Sequence, residues 1–210
     1  SSTINVNWGT ITFDTGETTG TANFRIGDNS PSTNGTMNVI NGANVYGRDF
    51  TVGSEGTGVL NINSGGDLTM TGNSSNVGGF LGGDSTSNGT INLDGSGSTL
   101  TVPLLTIAGL YGTGTVNITN GGVLTSSDEL RMASNSGGVG VLNIDGTGSK
   151  AVSSGDIDIG REAGGSASTT VSNNGLLKST GGNVTVGDRT NGTLTLNTGG
   201  DLEVTSGNLV

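Results

Sequence analysis

The chain repeats a three-part pattern about every 26 residues, almost from one end to the other. The first part is a short apolar alternation closed by a small residue, as in Val184-Thr-Val-Gly. The second opens with Gly-Thr, as in Gly192-Thr-Leu-Thr-Leu, and the third follows a Gly pair, as in Gly199-Gly-Asp-Leu-Glu-Val. We name these parts strands A, B and C. A fixed period built from such short strands and Gly-rich turns is the signature of a solenoid.

Each strand contributes one column of apolar residues that recurs with the period. The strand A column is Ile26, Val52, Leu81, Ile107, Met132, Ile159 and Val186. The strand B column is Phe13, Val39, Ile62, Leu93, Ile118, Ile144, Val171 and Leu196. The strand C column is Val45, Leu68, Leu100, Leu124, Ala151, Leu177 and Leu202. Because side chains alternate across a strand, each column points inward and stacks on its equivalents about 4.8 Å away.

The pattern therefore predicts an all-β fold: a single parallel β-helix, or β-solenoid, with three short strands per rung and about eight rungs. We expect one domain over residues 1–210. Its first rung is short, over residues 3–23, with Ile4 and Val6 in strand A and residues 9–13 in strand B. An insertion near residues 71–79 is expected to form a loop. Phe24 and Phe50 fall in adjacent rungs and are expected to stack in the core.

Charge and composition exclude several partners. The net charge is −10, so few Lys or Arg residues are present to neutralise nucleic-acid phosphates or anionic lipids. No apolar run approaches the length of a membrane span, so no membrane insertion is expected. The Gly-rich, polar composition would suit a disordered chain, but the regular apolar alternation favours a thin, continuous core.

The recurring Val-Gly, Gly-Thr-Leu-Thr-Leu and Gly-Gly-Asp-Leu-Glu-Val motifs run from about Ile4 to Val204. They resemble the repeats of bacterial surface proteins in the autotransporter passenger and PEP-CTERM-associated class. The resemblance implies an exported β-solenoid that acts as a stalk, an adhesin or a matrix component. It implies no catalytic residues.

One cluster of charges could carry chemistry. Its members are Asp128, Glu129, Asp156, Asp158, Arg131 and Arg161. Enzymes that cleave acidic polysaccharides need clustered carboxylates with basic groups, but this chain has no His, the commonest general base. Arg131 and Asp158 occupy the same outward column one rung apart, so an exposed ion pair between strands is the simpler interpretation. A polysaccharide-processing enzyme is the least favoured function, and no catalytic residue is predicted.

Three acids follow strand A in separate rungs: Asp28, Asp84 and Asp188. They could supply scattered oxygen ligands for an incidental Ca²⁺, although such residues more often satisfy backbone groups in turns. No other cofactor or metal is expected.

The outward side of strand B is the most regular surface predicted. We call it the Thr/Asn face, and its candidate contact residues are Thr36, Asn38, Asn61, Thr90, Asn92, Thr115, Asn117, Asn143, Thr193 and Thr195. The first-ranked interpretation is structural, because Thr suits strands and Asn side chains can form hydrogen-bonded ladders between rungs. The alternative is a contact face for another solenoid, a glycan or ice. In the first rung Thr10 and Thr12 are expected to lie on this face.

Both ends of the chain are expected to belong to strand A. The candidate assembly residues are Thr3, Ile4, Asn5, Val6, Asn208, Leu209 and Val210. Either the chain is a segment of a longer repeat protein, or subunits stack head to tail through these strands into a fibre.

Together these features predict a non-enzymatic extracellular structural protein of the bacterial cell surface or secreted biofilm matrix. It would act as a rigid stalk or as a fibre subunit, with itself or a surface glycan as partner. The alternative is an adhesin-type module that binds a glycan or ice through the Thr/Asn face.

Overall fold

The structure is a computed structural model that describes residues 2–12, 23–72, 78–107 and 111–210. Within these ranges the chain forms 21 strands and no helix, and every strand pairing is parallel. The predicted parallel β-solenoid is confirmed. The strands form two sheets, of eight and 13 strands, that wind around one core.

The eight-stranded sheet contains the B strands, and each B strand lies one turn of the coil after the previous one. Its eight strands are therefore separated by about seven turns. In spatial order its strands are β1 (Ser2–Val6), β4 (Asn34–Ile40), β7 (Thr57–Asn63), β10 (Asn88–Asp94), β12 (Thr113–Thr119), β14 (Val139–Asp145), β17 (Ser166–Ser172) and β20 (Asn191–Leu196).

The 13-stranded sheet contains the C and A strands, which meet at a bend. The C strands are β2 (Thr10–Thr12), β5 (Asn44–Gly47), β8 (Asp67–Met70), β11 (Thr99–Ile107), β13 (Val123–Met132), β15 (Lys150–Ser153), β18 (Leu176–Ser179) and β21 (Asp201–Val204). The separate A strands are β3 (Asn23–Ile26), β6 (Asp49–Val52), β9 (Gly79–Leu81), β16 (Ile157–Ile159) and β19 (Val184–Val186). β11 and β13 run through both positions without a break, with a register shift between Val102 and Leu104 at the bend.

The three apolar columns are paired as the period predicts from the second turn onward. Ile26 pairs with Val52, and the column continues through each predicted member to Val186. The B and C columns agree equally well from Val39 and Val45. Most of these side chains are fully buried, so one apolar residue per strand per turn is enough to build the core.

The prediction for the first turn is wrong by one strand. β1 is a B strand, since Asn5 pairs with Asn38 and Val6 with Val39. β2 is a C strand, since Ile11 pairs with Val45. Val6 therefore takes the core place expected of Phe13, which lies outside the described residues.

Two columns of small residues explain the Val-Gly and Gly-Thr motifs. The residue after most A strands has a positive φ, such as 69° at Gly53, so the chain can turn toward strand B. The next B strand then approaches this corner closely. A Cβ at Gly58 would come within 3.0 Å of the Ile26 carbonyl oxygen and the Gly53 amide nitrogen. One corner differs, because Ala133 holds a φ of 53° there.

Two further predictions concern the interior and the insertion. The rings of Phe24 and Phe50 stack as expected, with centroids 5.6 Å apart and planes 16° apart. The predicted loop near residues 71–79 lies mostly outside the described residues, which resume at 78 and enter β9 at Gly79. The single domain and the extent of the first rung stay predictions.

Candidate functional site

All ten predicted residues of the Thr/Asn face lie together on the outer side of the eight-stranded sheet. They occupy two neighbouring columns, because Thr36 pairs across turns with Val59 and Asn38 with Asn61. The same pairings continue through Thr90 and on to Thr193. In β7 the burial alternates strictly, so the outward residues are partly exposed and the inward ones are buried.

The Asn column forms a continuous hydrogen-bonded ladder. Each side-chain amide donates from Nδ2 to the Oδ1 atom of the Asn one turn nearer the amino terminus. The distances are 2.6 Å for Asn38 to Asn5, 2.8 Å for Asn61 to Asn38, and 2.9 Å for Asn92 to Asn61, Asn117 to Asn92 and Asn143 to Asn117. Beyond Asn143 the column continues as Thr170 and Thr195. The ladder that was preferred on sequence grounds is present, whereas contact with a glycan, ice or another solenoid stays a prediction.

Sequence reasoning missed one member of this ladder. Asn5 had been placed in strand A, and Thr10 and Thr12 on the Thr/Asn face. In the structure Thr3 and Asn5 take those outward positions, and Thr10 and Thr12 belong to strand C. The signal was available, because the pair Asn5-Val6 matches Asn38-Val39 better than Thr12-Phe13 does.

The acidic and basic cluster lies on the A side of the solenoid and is held by ion pairs. Arg131 and Asp158 are register partners on β13 and β16, as predicted. The ion-pair partner of Arg131 is nevertheless Glu129 on its own strand, because Arg131 Nε contacts Glu129 Oε2. Arg161 Nη1 lies 3.1 Å from both Glu129 Oε2 and Asp158 Oδ2. The cluster therefore links neighbouring turns through Arg161.

Two of the four carboxyl groups of this cluster, those of Asp158 and Glu129, respond differently to their surroundings. Burial raises the pKa of Asp158, and the charges of Glu129 and Asp156 add to this against the opposing effect of Arg161. Burial also acts to raise the pKa of Glu129, but hydrogen bonds and charge from Arg131 and Arg161 outweigh it and lower that pKa. The carboxylate of Asp156 serves the backbone, because its Oδ1 atom accepts a hydrogen bond from the Asn183 backbone amide at 2.7 Å. Asp128 takes part through its backbone carbonyl, which accepts from the Ser153 hydroxyl.

The predicted turn acids lie far apart in three different turns. Asp28 contacts Arg25 at 3.3 Å, and Asp188 lies 3.9 Å from Arg189. The backbone of Asp84 is hydrogen-bonded to Ser87. Among the described residues no group of three or more acids, His or Cys is arranged to hold a metal ion. The same residues contain no helix long and apolar enough to cross a membrane.

The candidate assembly residues at the two ends of the chain lie on different faces, and only the carboxy-terminal ones lie where predicted. Thr3–Val6 lie in β1 on the B side. Asn208 and Val210 exchange backbone hydrogen bonds with Val184 and Val186, and Leu209 bridges Val184 on the A side. The strand A assignment is thus confirmed for residues 208–210 and wrong for residues 3–6.

A column of buried Ser residues at the bend between strands C and A had no sequence prediction. The hydroxyl oxygen of Ser126 lies 2.8 Å from both the Pro103 and the Glu129 carbonyl oxygens, and its one proton can be donated to either. Ser153 and Ser179 have equivalent carbonyl neighbours one and two turns on. Each buried hydroxyl thus has a hydrogen-bond partner at the bend, so the role of the column is structural.

Comparison with known proteins gives one family and one relative. A family model described as Pertactin matches residues 85–197. An uncharacterized lipoprotein, YdeK of Escherichia coli (strain K12), is 35% identical over 96 residues. That segment makes up 46% of this chain and 7% of the lipoprotein. No solved structure matches. The findings support the autotransporter passenger part of the predicted resemblance, and its PEP-CTERM part stays a prediction.

Proposed function

The chain belongs to the pertactin family, and on that premise we propose that it is a rigid, non-enzymatic β-helix displayed at the bacterial cell surface. Its proposed role is mechanical: it acts as a stalk that holds attached parts of a longer protein, or a partner, away from the cell. The finer form of the proposal is a subunit that stacks end to end into a fibre, because every turn presents the same three pairing edges.

The observation that carries this proposal is the unbroken linkage between turns. Each B strand pairs along its full length with the next turn, and the Asn ladder adds side-chain bonds at 2.6–2.9 Å across six turns. Mostly apolar columns stack behind both sheets and are largely buried until the last turn, where they become partly exposed. Bending such a rod would separate backbone bonds, ladder bonds and core contacts at the same time, so the coil resists bending without any disulfide.

Two observations support the surface location and the lack of catalysis. The matched family is that of autotransporter passenger β-helices, and the related E. coli protein is named as a lipoprotein. The charged cluster on the A side has its Arg groups engaged with Glu129 and Asp158. This engagement suits a structural contact between turns better than a site that must bind and cleave an acidic sugar.

Electron microscopy and surface labelling test the two halves of the proposal separately. Purified chain should appear as straight rods, and at rising concentration stacking would produce unbranched fibres whose axial repeat is one subunit. Bent or collapsed particles would refute the rigid stalk, and single rods at every concentration would remove the fibre form alone. In the producing bacterium, antibodies should label intact cells. Labelling only after the cells are permeabilised would refute display at the surface.

A further inference from the structure

We infer that the Thr/Asn face is the surface on which a second copy of this chain docks side by side. This inference rests on the proposed function, since stalks displayed together on one surface meet along their sides. It names the partner and the face, which the stalk proposal leaves open.

The charge distribution favours this face over the others. Two copies that each carry a net charge of −10 repel each other wherever acids face acids. Three outward columns of the eight-stranded sheet, headed by Asn34, Thr36 and Asn38, contain no charged residue in any described turn. The fourth outward column carries Asp94 and Asp145 and forms the charged edge of the face. The 13-stranded sheet instead presents ion pairs, such as Lys178 with Glu203 at 2.5 Å. Close approach of two copies therefore costs least on the Thr/Asn face.

The ladder leaves hydrogen-bonding groups available for a partner. A side-chain amide has two N–H donors and an oxygen with two lone pairs. In Asn61, Asn92 and Asn117 the ladder uses one donor, and one bond is accepted at the oxygen. Each of these amides keeps a second donor and a second lone pair. Because the ladder already fixes its orientation, the amide loses little side-chain freedom when a partner binds.

The area of the face is sufficient for a weak, specific pair. About seven turns at about 4.8 Å each give a length of about 34 Å, and the five residues that span the three uncharged columns, at about 3.3 Å per residue, give a width of about 17 Å. The footprint is then about 570 Å² per copy, or about 1,100 Å² for the pair. A specific protein–protein interface needs about 1,000 Å² in total, and weak, transient ones bury less than about 1,200 Å².

A second copy also matches the face in its repeat. Any two copies share the same spacing between turns, so Thr and Asn rows that meet in one turn meet in every other turn. The repeat of a polysaccharide is set by its sugar units, so no such match follows from the chain itself. The geometry therefore points to another copy of this chain as the occupant.

Sedimentation analysis of the whole chain with a matched pair of variants tests the inference. Thr90 and Thr115 are register partners on the Thr/Asn face, and Thr101 and Thr125 are register partners on the C side. The wild type is expected to dimerise with a Kd below about 1 mM. Thr90→Glu with Thr115→Glu should weaken dimerisation on the order of 100-fold, because like charges then oppose each other across the interface. Thr101→Glu with Thr125→Glu adds the same charge elsewhere and should leave the Kd unchanged.

Three results would overturn the inference. The first is a wild type that stays monomeric at about 1 mM. The second is an equal loss of dimerisation in both double variants. The third is binding of the wild type to an insoluble neutral glycan, such as cellulose, that is lost in Thr90→Glu with Thr115→Glu, since the face would then bind that glycan instead of a second copy. If the double variant on the face fails to give the wild-type circular dichroism spectrum, Ser168→Glu, outward in the same column, replaces it. Straight rods in electron microscopy would uphold the stalk proposal whichever result is found.

Discussion

Replacing one Asn in the middle of the ladder should cost more stability than the same replacement at its end. Asn92 donates to Asn61 and accepts from Asn117, so it takes part in two ladder bonds at 2.9 Å. Asn143 donates to Asn117 and faces Thr170 on its other side, so it takes part in one. Thr is the natural replacement, because Thr170 and Thr195 already continue the column.

The expected magnitudes follow from the number of bonds lost. A hydrogen bond contributes about 0.5–1.5 kcal/mol net, so Asn92→Thr loses about 1–3 kcal/mol and Asn143→Thr about 0.5–1.5 kcal/mol. Both replacements gain similar strand preference from Thr, an effect of up to about 1 kcal/mol that cancels in the comparison. The difference between the two variants isolates one ladder bond.

Urea denaturation of the two variants and the wild type measures this difference. The unfolding midpoints should fall in the order wild type, Asn143→Thr and Asn92→Thr, with the denaturant slope m unchanged. A cost at Asn92 no greater than at Asn143 would show that the ladder bonds add nothing to what water supplies. The ladder would then contribute nothing to the rigidity of the rod.

Three further perturbations test the corners, the core and the charged cluster. Gly58→Ala places a methyl group against backbone atoms of the corner and should lower the free energy of unfolding by about 1–3 kcal/mol, measured by urea denaturation. An unchanged stability would contradict the close approach of the B strand to the corner. Ala133→Gly relieves a positive φ and should raise the free energy of unfolding by up to about 1 kcal/mol in the same assay. Leu93→Ala removes a fully buried side chain and should cost about 2–5 kcal/mol in the same assay. A cost below about 1 kcal/mol would contradict a packed column. The pKa of Glu129 is lowered in the folded chain, so its charged form stabilises the fold at a pH above the ordinary Glu pKa of 4.5. In that range the wild type should have a higher thermal midpoint than Glu129→Gln, and the difference should vanish as the pH falls through the folded pKa. A difference that persists at low pH would contradict the ion pairs.

The coil and its registers could be predicted from the sequence because one apolar residue per strand recurs in every turn. From Val39 onward the inward columns recur about every 26 residues and pair from turn to turn as predicted. The strands of the first turn could not be predicted from the period, because Asn5 and its partner Asn38 are 33 residues apart. The segment Gly9-Thr-Ile-Thr-Phe13 also imitates a B strand, so the period placed it one strand too early.

The contacts of the charged cluster could be predicted only in part. Period alone placed Arg131 beside Asp158, because backbone register depends on strand pairing. The choice of ion-pair partner depends on side-chain reach and on the bend between strands C and A. Glu129 lies directly after the register shift between β11 and β13, and the position of that shift cannot be read from the spacing of the repeats. The Asn ladder was easier to predict, because its members are identical and a ladder needs only register.

The spacing along the Asn column has a consequence for how such a chain folds and how it can change in length. Ladder partners are 23 to 33 residues apart in sequence at every step where a bond forms, wherever along the rod that step lies. The entropy cost of closing each loop is therefore nearly the same for the first turn as for the last. Folding can spread from any completed pair of turns to its neighbours, and a longer rod contains no contact of longer range. Gain or loss of one whole period should be tolerated for this reason, and the range of separations shows that the turns absorb a few extra residues. Gain of one residue inside a strand would instead move the side chains beyond it to the opposite face.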